Sequence, residues 1–173
     1  MSHYWINRIY ENCSGCRKCE IACSIFHESS IWPEASRIRI FMLIPGIEIP
    51  HLCFQCEDYP CVENCPTNAL SIDNSTQTVK VEEEKCTACG TCIEVCPGSI
   101  PHLHPERKKI VICDFCGGNP QCVKVCQESN WKALELVKRD KNISYKSLAK
   151  TPLELTKITA TKLIGEKTLK ELM

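Results

Sequence analysis

Apolar and polar residues alternate at every second position in residues 69–73 and again in residues 78–82, on either side of the polar run 74–77. That period predicts two strands joined as a hairpin. Residues 101–104 and 109–113, around the charged run 106–108, predict a second hairpin. Residues 133–137 follow Cys126 much as residues 69–72 follow Cys65, and read as a last strand of the same unit. Residues 37–41 read as an added strand. The apolar run 38–49 around it is interrupted by Arg39, Pro45, Gly46 and Glu48, so it is unsuited to crossing a bilayer. Beyond residue 138 the pattern turns helical. Thr151 to Glu154 form a capping box with Pro152 at the first helical position. Leu155, Ile158, Lys162 and Leu163 keep roughly helical spacing, and Gly165 is the expected stop. A helix folded back over the protein's own surface is favoured over one laid along a partner.

Sixteen cysteines in 173 residues change this picture. They form four quartets with none left over: Cys13, Cys16, Cys19, Cys23; Cys53, Cys56, Cys61, Cys65; Cys86, Cys89, Cys92, Cys96; and Cys113, Cys116, Cys122, Cys126. Each begins C-x2-C and ends C-x3-C, and only the middle gap varies. The third, with Pro97, matches the bacterial iron–sulfur run C-x2-C-x2-C-x3-C-P. An x3 interval sets two cysteines one helical turn apart, so the last pair of each quartet is expected on the first turns of a short helix. Pro66 and Pro97 stop two of those helices; Ser24 and Gln127 stand at the equivalent positions of the outer quartets, so theirs run on. Thiolates are soft donors suited to iron–sulfur chemistry. With aromatics at only 6%, bound cofactors are expected to fill much of the interior, leaving the apoprotein largely unfolded.

Other chemistries fare worse. Zinc sites pair C-x2-C hooks at longer intervals and need no third cysteine at x2. Disulfides belong to exported scaffolds, whereas residues 1–8 lack the features of a secretory signal, and cytoplasmic residence is expected. Twenty-one basic residues balance 21 acidic ones, which points to neither a nucleic acid nor an anionic membrane as partner. Glycine-rich nucleotide motifs are lacking, and His3, His27, His51, His102 and His104 form no catalytic pattern. His102 and His104 read as a half-exposed pair on one side of a strand. Trp5, Trp32 and Trp131 read as core packing beside the outer quartets. Gly15, Gly90, Gly98 and Gly117 suit tight turns or close N–H approach to a cofactor.

Four such quartets within residues 13–126 resemble the polyferredoxin-type electron-transfer subunits of molybdenum and tungsten oxidoreductases, the group that includes the iron–sulfur subunits of dimethyl sulfoxide reductase and formate dehydrogenase. The compact form, with Gly117, Gly118, Asn119, Pro120 and Gln121 between Cys116 and Cys122, looks most like the small subunit of tungsten-dependent aldehyde oxidoreductases. The resemblance implies an α+β fold, tandem bacterial ferredoxin-like: two nested two-cluster lobes of small antiparallel hairpins and short helices, with a helical C-terminal extension. The outer lobe would comprise residues 1–46 with 102–137, the inner lobe 47–101 and the extension 138–173. It also implies four [4Fe–4S] clusters. Their ligands would be Cys13, Cys16, Cys19 with Cys126; Cys113, Cys116, Cys122 with Cys23; Cys53, Cys56, Cys61 with Cys96; and Cys86, Cys89, Cys92 with Cys65. Spacing alone permits consecutive pairing as well. The implied partners are a catalytic tungsten- or molybdenum-pterin subunit and a soluble carrier such as ferredoxin. A formate dehydrogenase or hydrogenase complex, or a free polyferredoxin, are the alternatives.

Overall fold

A computed structural model describes residues 4–172; His3 lies outside them. The elements begin with β1 (Tyr4–Arg8), α1 (Lys18–Glu28), β2 (Arg39–Ile44) and β3 (Ile47–His51). The middle of the chain carries α2 (Pro60–Glu63), β4 (Leu70–Ile72), β5 (Val79–Val81) and α3 (Thr91–Glu94). There follow β6 (His102–Leu103), β7 (Ile110–Val111), α4 (Gln121–Glu128), β8 (Leu134–Lys138), α5 (Tyr145–Leu148) and α6 (Pro152–Leu172). The strands form four separate antiparallel pairs: β1–β8, β2–β3, β4–β5 and β6–β7.

Both hairpins read from the alternation are present, shortened at their ends. Leu70 faces Val81 and Ile72 faces Val79, and the Asp73 side chain closes the turn by accepting the N–H groups of Ser75 and Thr76 at 2.8 and 2.9 Å. Residues 133–137 become β8, but its partner, β1, was not foreseen. Ile6 lies opposite Leu136 and Arg8 opposite Leu134, so the two ends of the quartet region zip together. Residues 37–41 are corrected more substantially. The apolar run folds back on itself as β2–β3, with Phe41 opposite Ile49. Pro45 and Gly46 are the turn between two strands, with Gly46 at φ +82°, where proline followed by glycine suits a sharp reversal.

Two helix expectations also change. Cys19 and Cys23 both lie in α1, and Cys122 and Cys126 both lie in α4, as expected. In the inner quartets only Cys61 and Cys92 are helical; Cys65 and Cys96 fall beyond the ends of α2 and α3. A residue preceding proline is pushed out of the helical region, so the helix ends before the cysteine, not after it. Gly165, at φ +80° and ψ 159°, breaks α6 without ending it, and helix resumes as far as Leu172. The capping box is formed: the Thr151 N–H donates to Glu154 Oε2 at 2.8 Å.

α6 closes over the protein's own surface. Leu155, Ala160 and Leu169, with Ala149, pack on Ile44, Ile47, Ile49, Phe54 and Ile100. β8 reaches Lys138, and α5 precedes the main helix α6. Trp5 lies under this extension, its ring 5.0 Å from that of Tyr145. Trp32 packs edge-on against His104, whereas Trp131 is half exposed and does not serve as core. His104 is fully buried, which corrects the half-exposed histidine pair. Its Nδ1 accepts the N–H groups of Glu106 and Arg107, each at 3.2 Å, while Nε2 meets Glu28 Oε2 at 3.2 Å. Arg37 at 2.5 Å and Arg107 at 2.7 Å complete the coordination of the Glu28 carboxylate, so this network ties α1 to the β6–β7 turn. Among the described residues no helix is long and apolar enough to cross a membrane.

Candidate metal centres

The backbone repeats four times around the cysteines. The residue immediately before the second cysteine of each quartet is left-handed: Gly15 at φ +69°, Gln55 at +53°, Ala88 at +58° and Phe115 at +59°. Only one is glycine. Left-handed backbone at the other three costs on the order of 1–2 kcal/mol each, so the curl is imposed by what the loop must surround.

Those loops gather thiols from different quartets. Cys53, Cys56, Cys61 and Cys96 line one apolar pocket. Cys13, Cys16, Cys19 and Cys126 line a second, together with Arg17, Lys18 and the half-exposed Trp131. Cys65, Cys86, Cys89 and Cys92 line a third. The remaining four, Cys23, Cys113, Cys116 and Cys122, are all buried. Cys122 lies within electrostatic reach of Cys23 and Cys116, and Cys113 of Cys122 and Cys23. Every thiol is free, nine are buried, and only Cys16 and Cys89 are exposed. Seven of the nine buried cysteines are members of two apolar core clusters, and Cys56 belongs to the cluster under α6.

Electrostatics shows what these groups lack. Burial, and then the charges of neighbouring thiols, push Cys56 and Cys61 up to about 12. Burial is also the first cause for Cys53 and Cys92, both pushed up to about 11, and for Cys113 and Cys122, raised well above the ordinary thiol range. Several thiolates cannot share an apolar void unless a multivalent cation enters and displaces their protons. Donors for the charged sulfur are already in place. Cys65 accepts the N–H of Ala69 at 3.3 Å and Cys96 that of Ile100 at 3.5 Å, the same bond four residues along in both inner quartets. Cys53 accepts from the Gln55 N–H and Cys23 from the Arg37 N–H, both at 3.3 Å. Three cysteines of one loop joined by a fourth from another quartet, with N–H groups aimed at sulfur, fit the ligand pattern of a cubane cluster better than that of zinc.

Two side chains near these thiols escaped the sequence reading. His27 Nε2 lies 3.3 Å from Asp114 Oδ1 and 3.8 Å from Cys116 Sγ. Its position four residues after Cys23 on a helix was a usable signal, since that spacing shares a face. Arg8, on β1, is buried and donates Nη2 to the carbonyls of Leu52 at 3.0 Å and Cys53 at 2.6 Å. It stands 45 residues from that cysteine, and no local pattern announces the contact.

Known proteins agree with this chemistry. A family model described as "4Fe-4S dicluster domain" matches residues 52–100. The chain is 52% identical over 162 residues, 94% of each protein, to the "Aliphatic sulfonate oxidoreductase, polyferredoxin-like subunit" of Pyrococcus furiosus. It is 32% identical over 139 residues to the electron transport protein HydN of Escherichia coli K12, spanning 66% of this chain and 78% of that one. The thiosulfate reductase electron transfer subunit PhsB of Salmonella typhi is 31% identical over 133 residues, 67% of each. The sixteen grouped thiols and these relatives lead to one conclusion: the chain belongs to the family of polyferredoxin-like, [4Fe–4S]-type iron–sulfur subunits that carry electrons for oxidoreductases.

Proposed function

We propose that the chain holds four [4Fe–4S] clusters in two nested lobes and conducts single electrons between a catalytic oxidoreductase subunit and an external acceptor. The ligand sets are Cys13, Cys16, Cys19, Cys126; Cys23, Cys113, Cys116, Cys122; Cys53, Cys56, Cys61, Cys96; and Cys65, Cys86, Cys89, Cys92. One observation carries the reading: three pockets are each lined by three cysteines of one quartet and one of another, which leaves Cys23, Cys113, Cys116 and Cys122 as the fourth set. When bound, a cluster with four cysteine ligands supplies a one-electron carrier with no open position for substrate. The chain's own residues hold it, exclude water with an apolar lining and favour the thiolate with N–H donors.

The neighbour relations support a linear order. Cys122 feels Cys19, Cys113 feels Cys53, and Cys61 feels Cys92, so the Cys13 group leads to the Cys113 group, then to the Cys53 group and last to the Cys86 group. The two exposed cysteines, Cys16 and Cys89, belong to the two ends. Electrons then enter and leave at those ends, and the middle pair is insulated.

The resemblance favours a tungsten- or molybdenum-pterin catalytic partner of the aldehyde oxidoreductase type, with ferredoxin as acceptor. A second reading rests on the Pyrococcus furiosus relative, whose name points to an oxidoreductase acting on aliphatic sulfonates. Anaerobic purification with metal and sulfide analysis tests the clusters, with about sixteen irons per chain expected; four zincs in a colourless protein reverse the reading. Native co-purification tests the partner. One containing neither tungsten nor molybdenum sinks the pterin version. Bleaching of the clusters by an aldehyde, or by an aliphatic sulfonate, separates the two substrates.

A further inference from the structure

Arg8 is a buried cation without a counter-charge. Its side chain ends among the middle thiols: it bonds the Cys53 carbonyl, and Leu52, whose carbonyl it also bonds, packs in one apolar cluster with Cys113 and Cys122. Nη2 is spent on the carbonyls of Leu52 and Cys53, and the guanidinium lies over the Phe54 ring at 4.1 Å and beside Trp5 at 5.1 Å. Nε and Nη1 are buried and unpartnered, and among the described residues no carboxylate pairs with it. Arginine does not escape burial by losing its proton. An uncompensated charge of this kind is strongly destabilising, so a balancing anion belongs beside it.

We infer that Arg8 is the resident counter-cation of the two middle clusters and raises the reduction potential of both. The inference rests on the four-cluster reading above. A [4Fe–4S] cube with four thiolates is anionic when oxidised and gains one more negative charge on reduction. The attraction to a fixed guanidinium therefore grows with each electron accepted, and the reduced form is favoured. Charge near the cluster and hydrogen bonds to its sulfurs are established controls of potential, and the free N–H groups on Nε and Nη1 supply donors as well as charge. Because one cation serves two neighbours, it holds the interior of the path at a higher potential than its ends would have under the same ligation. The cations near the end groups are less deeply placed: Lys109 Nζ, which bonds the Cys86 carbonyl at 2.7 Å, is only partly buried, and Arg17 beside the Cys13 group is half exposed.

The test is an anaerobic redox titration of the full chain followed by electron paramagnetic resonance, for wild type, Arg8→Gln and Arg8→Lys. Arg8→Gln should lower two of the four midpoint potentials and leave the other two in place, and Arg8→Lys should recover most of the shift. Unchanged midpoints in a fully loaded Arg8→Gln protein overturn the inference, as does an equal shift of all four. Loss of two clusters in Arg8→Gln, restored in Arg8→Lys, supports it through loading. If neither variant loads, wild type grown on arginine labelled with 15N in the guanidino group decides by pulsed resonance. Nitrogen coupling on two reduced centres supports the assignment, and its absence from every centre overturns it. Iron and sulfide counts of wild type judge the four-cluster reading separately.

Discussion

The inner and outer quartets begin from the same spacing and end in different surroundings. In the inner pair the helices last a single turn, Pro60–Glu63 and Thr91–Glu94, and the last cysteine is capped by the backbone N–H four residues on. In the outer pair α1 and α4 run for 11 and eight residues, carry both late cysteines and pack against each other. The difference traces to one position: proline follows the last cysteine in the inner quartets, serine and glutamine in the outer ones. A longer helix brings more side chains to the sulfur. α1 delivers His27 to the buried fourth group and Glu28 to a network that reaches the β6–β7 turn. A ligand motif thus sets where thiols go, and the residue after it sets how individual their environment becomes.

Iron removal is the severest way to break the comparison. With nine cysteines in the interior, chelation under anaerobic conditions should abolish cooperative unfolding around the inner and outer quartets together. Hydrogen exchange that left one pair of quartets protected would show that its surroundings stand without a cofactor. Ser24→Pro should separate the two pairs next. It puts proline inside α1 and removes the hydroxyl that bonds Ile21 and the Trp32 N–H, at a cost of about 3 kcal/mol or more. Denaturant titration with iron analysis should find the outer groups lost first, and equal loss from inner and outer groups would contradict the asymmetry.

Glu28→Gln should cost on the order of 3 kcal/mol, because it leaves the largely buried Arg37 guanidinium without its carboxylate. The same carboxylate gives a pH signature. Burial alone would raise it, but bonds from Arg107 and Arg37 hold it down to about 2 from its ordinary 4.5. A depressed folded value means stabilisation that is complete above 4.5 and lost as pH falls toward 2, a loss the variant should not show. His102 works in a milder window. Burial and the positive Arg39 lower it to about 4 from 6.5, so the folded chain keeps it neutral while the unfolded chain takes a proton. Stability should therefore fall as pH drops from 6.5 to 4, with a shallower slope in His102→Phe by denaturation at stepped pH. The smallest effect belongs to the extension. Thr151→Ala should remove its cap for about 1 kcal/mol and leave exchange protection in both quartet lobes unchanged.

Much of this was readable in one dimension because its causes are local. The four quartets, the two hairpins beside them, the helix cap at Thr151 and the use of cysteine as core all follow from spacing, alternation and turn chemistry within a few residues. Local signals were misjudged at two points. Pro45 and Gly46 counted only as interruptions of an apolar run and are the turn between two strands, and Gly165 looked like an end and is a kink.

By itself the sequence determined that sixteen thiols come in four sets of one design, that the chemistry is iron–sulfur, and that the inner helices are short. Tertiary structure alone decided which cysteines line the three pockets together, that β1 closes on β8, and that Arg8 and His27 stand near the sulfurs. The physical reason is range. Ligand spacing and helix ends are settled over one turn of backbone, whereas pairing β1 with β8, or bringing Arg8 to Cys53, spans 45 residues or more and leaves no periodic trace. Such contacts are chosen by what the whole chain can bury together, and here a charged side chain went to the middle with the thiols.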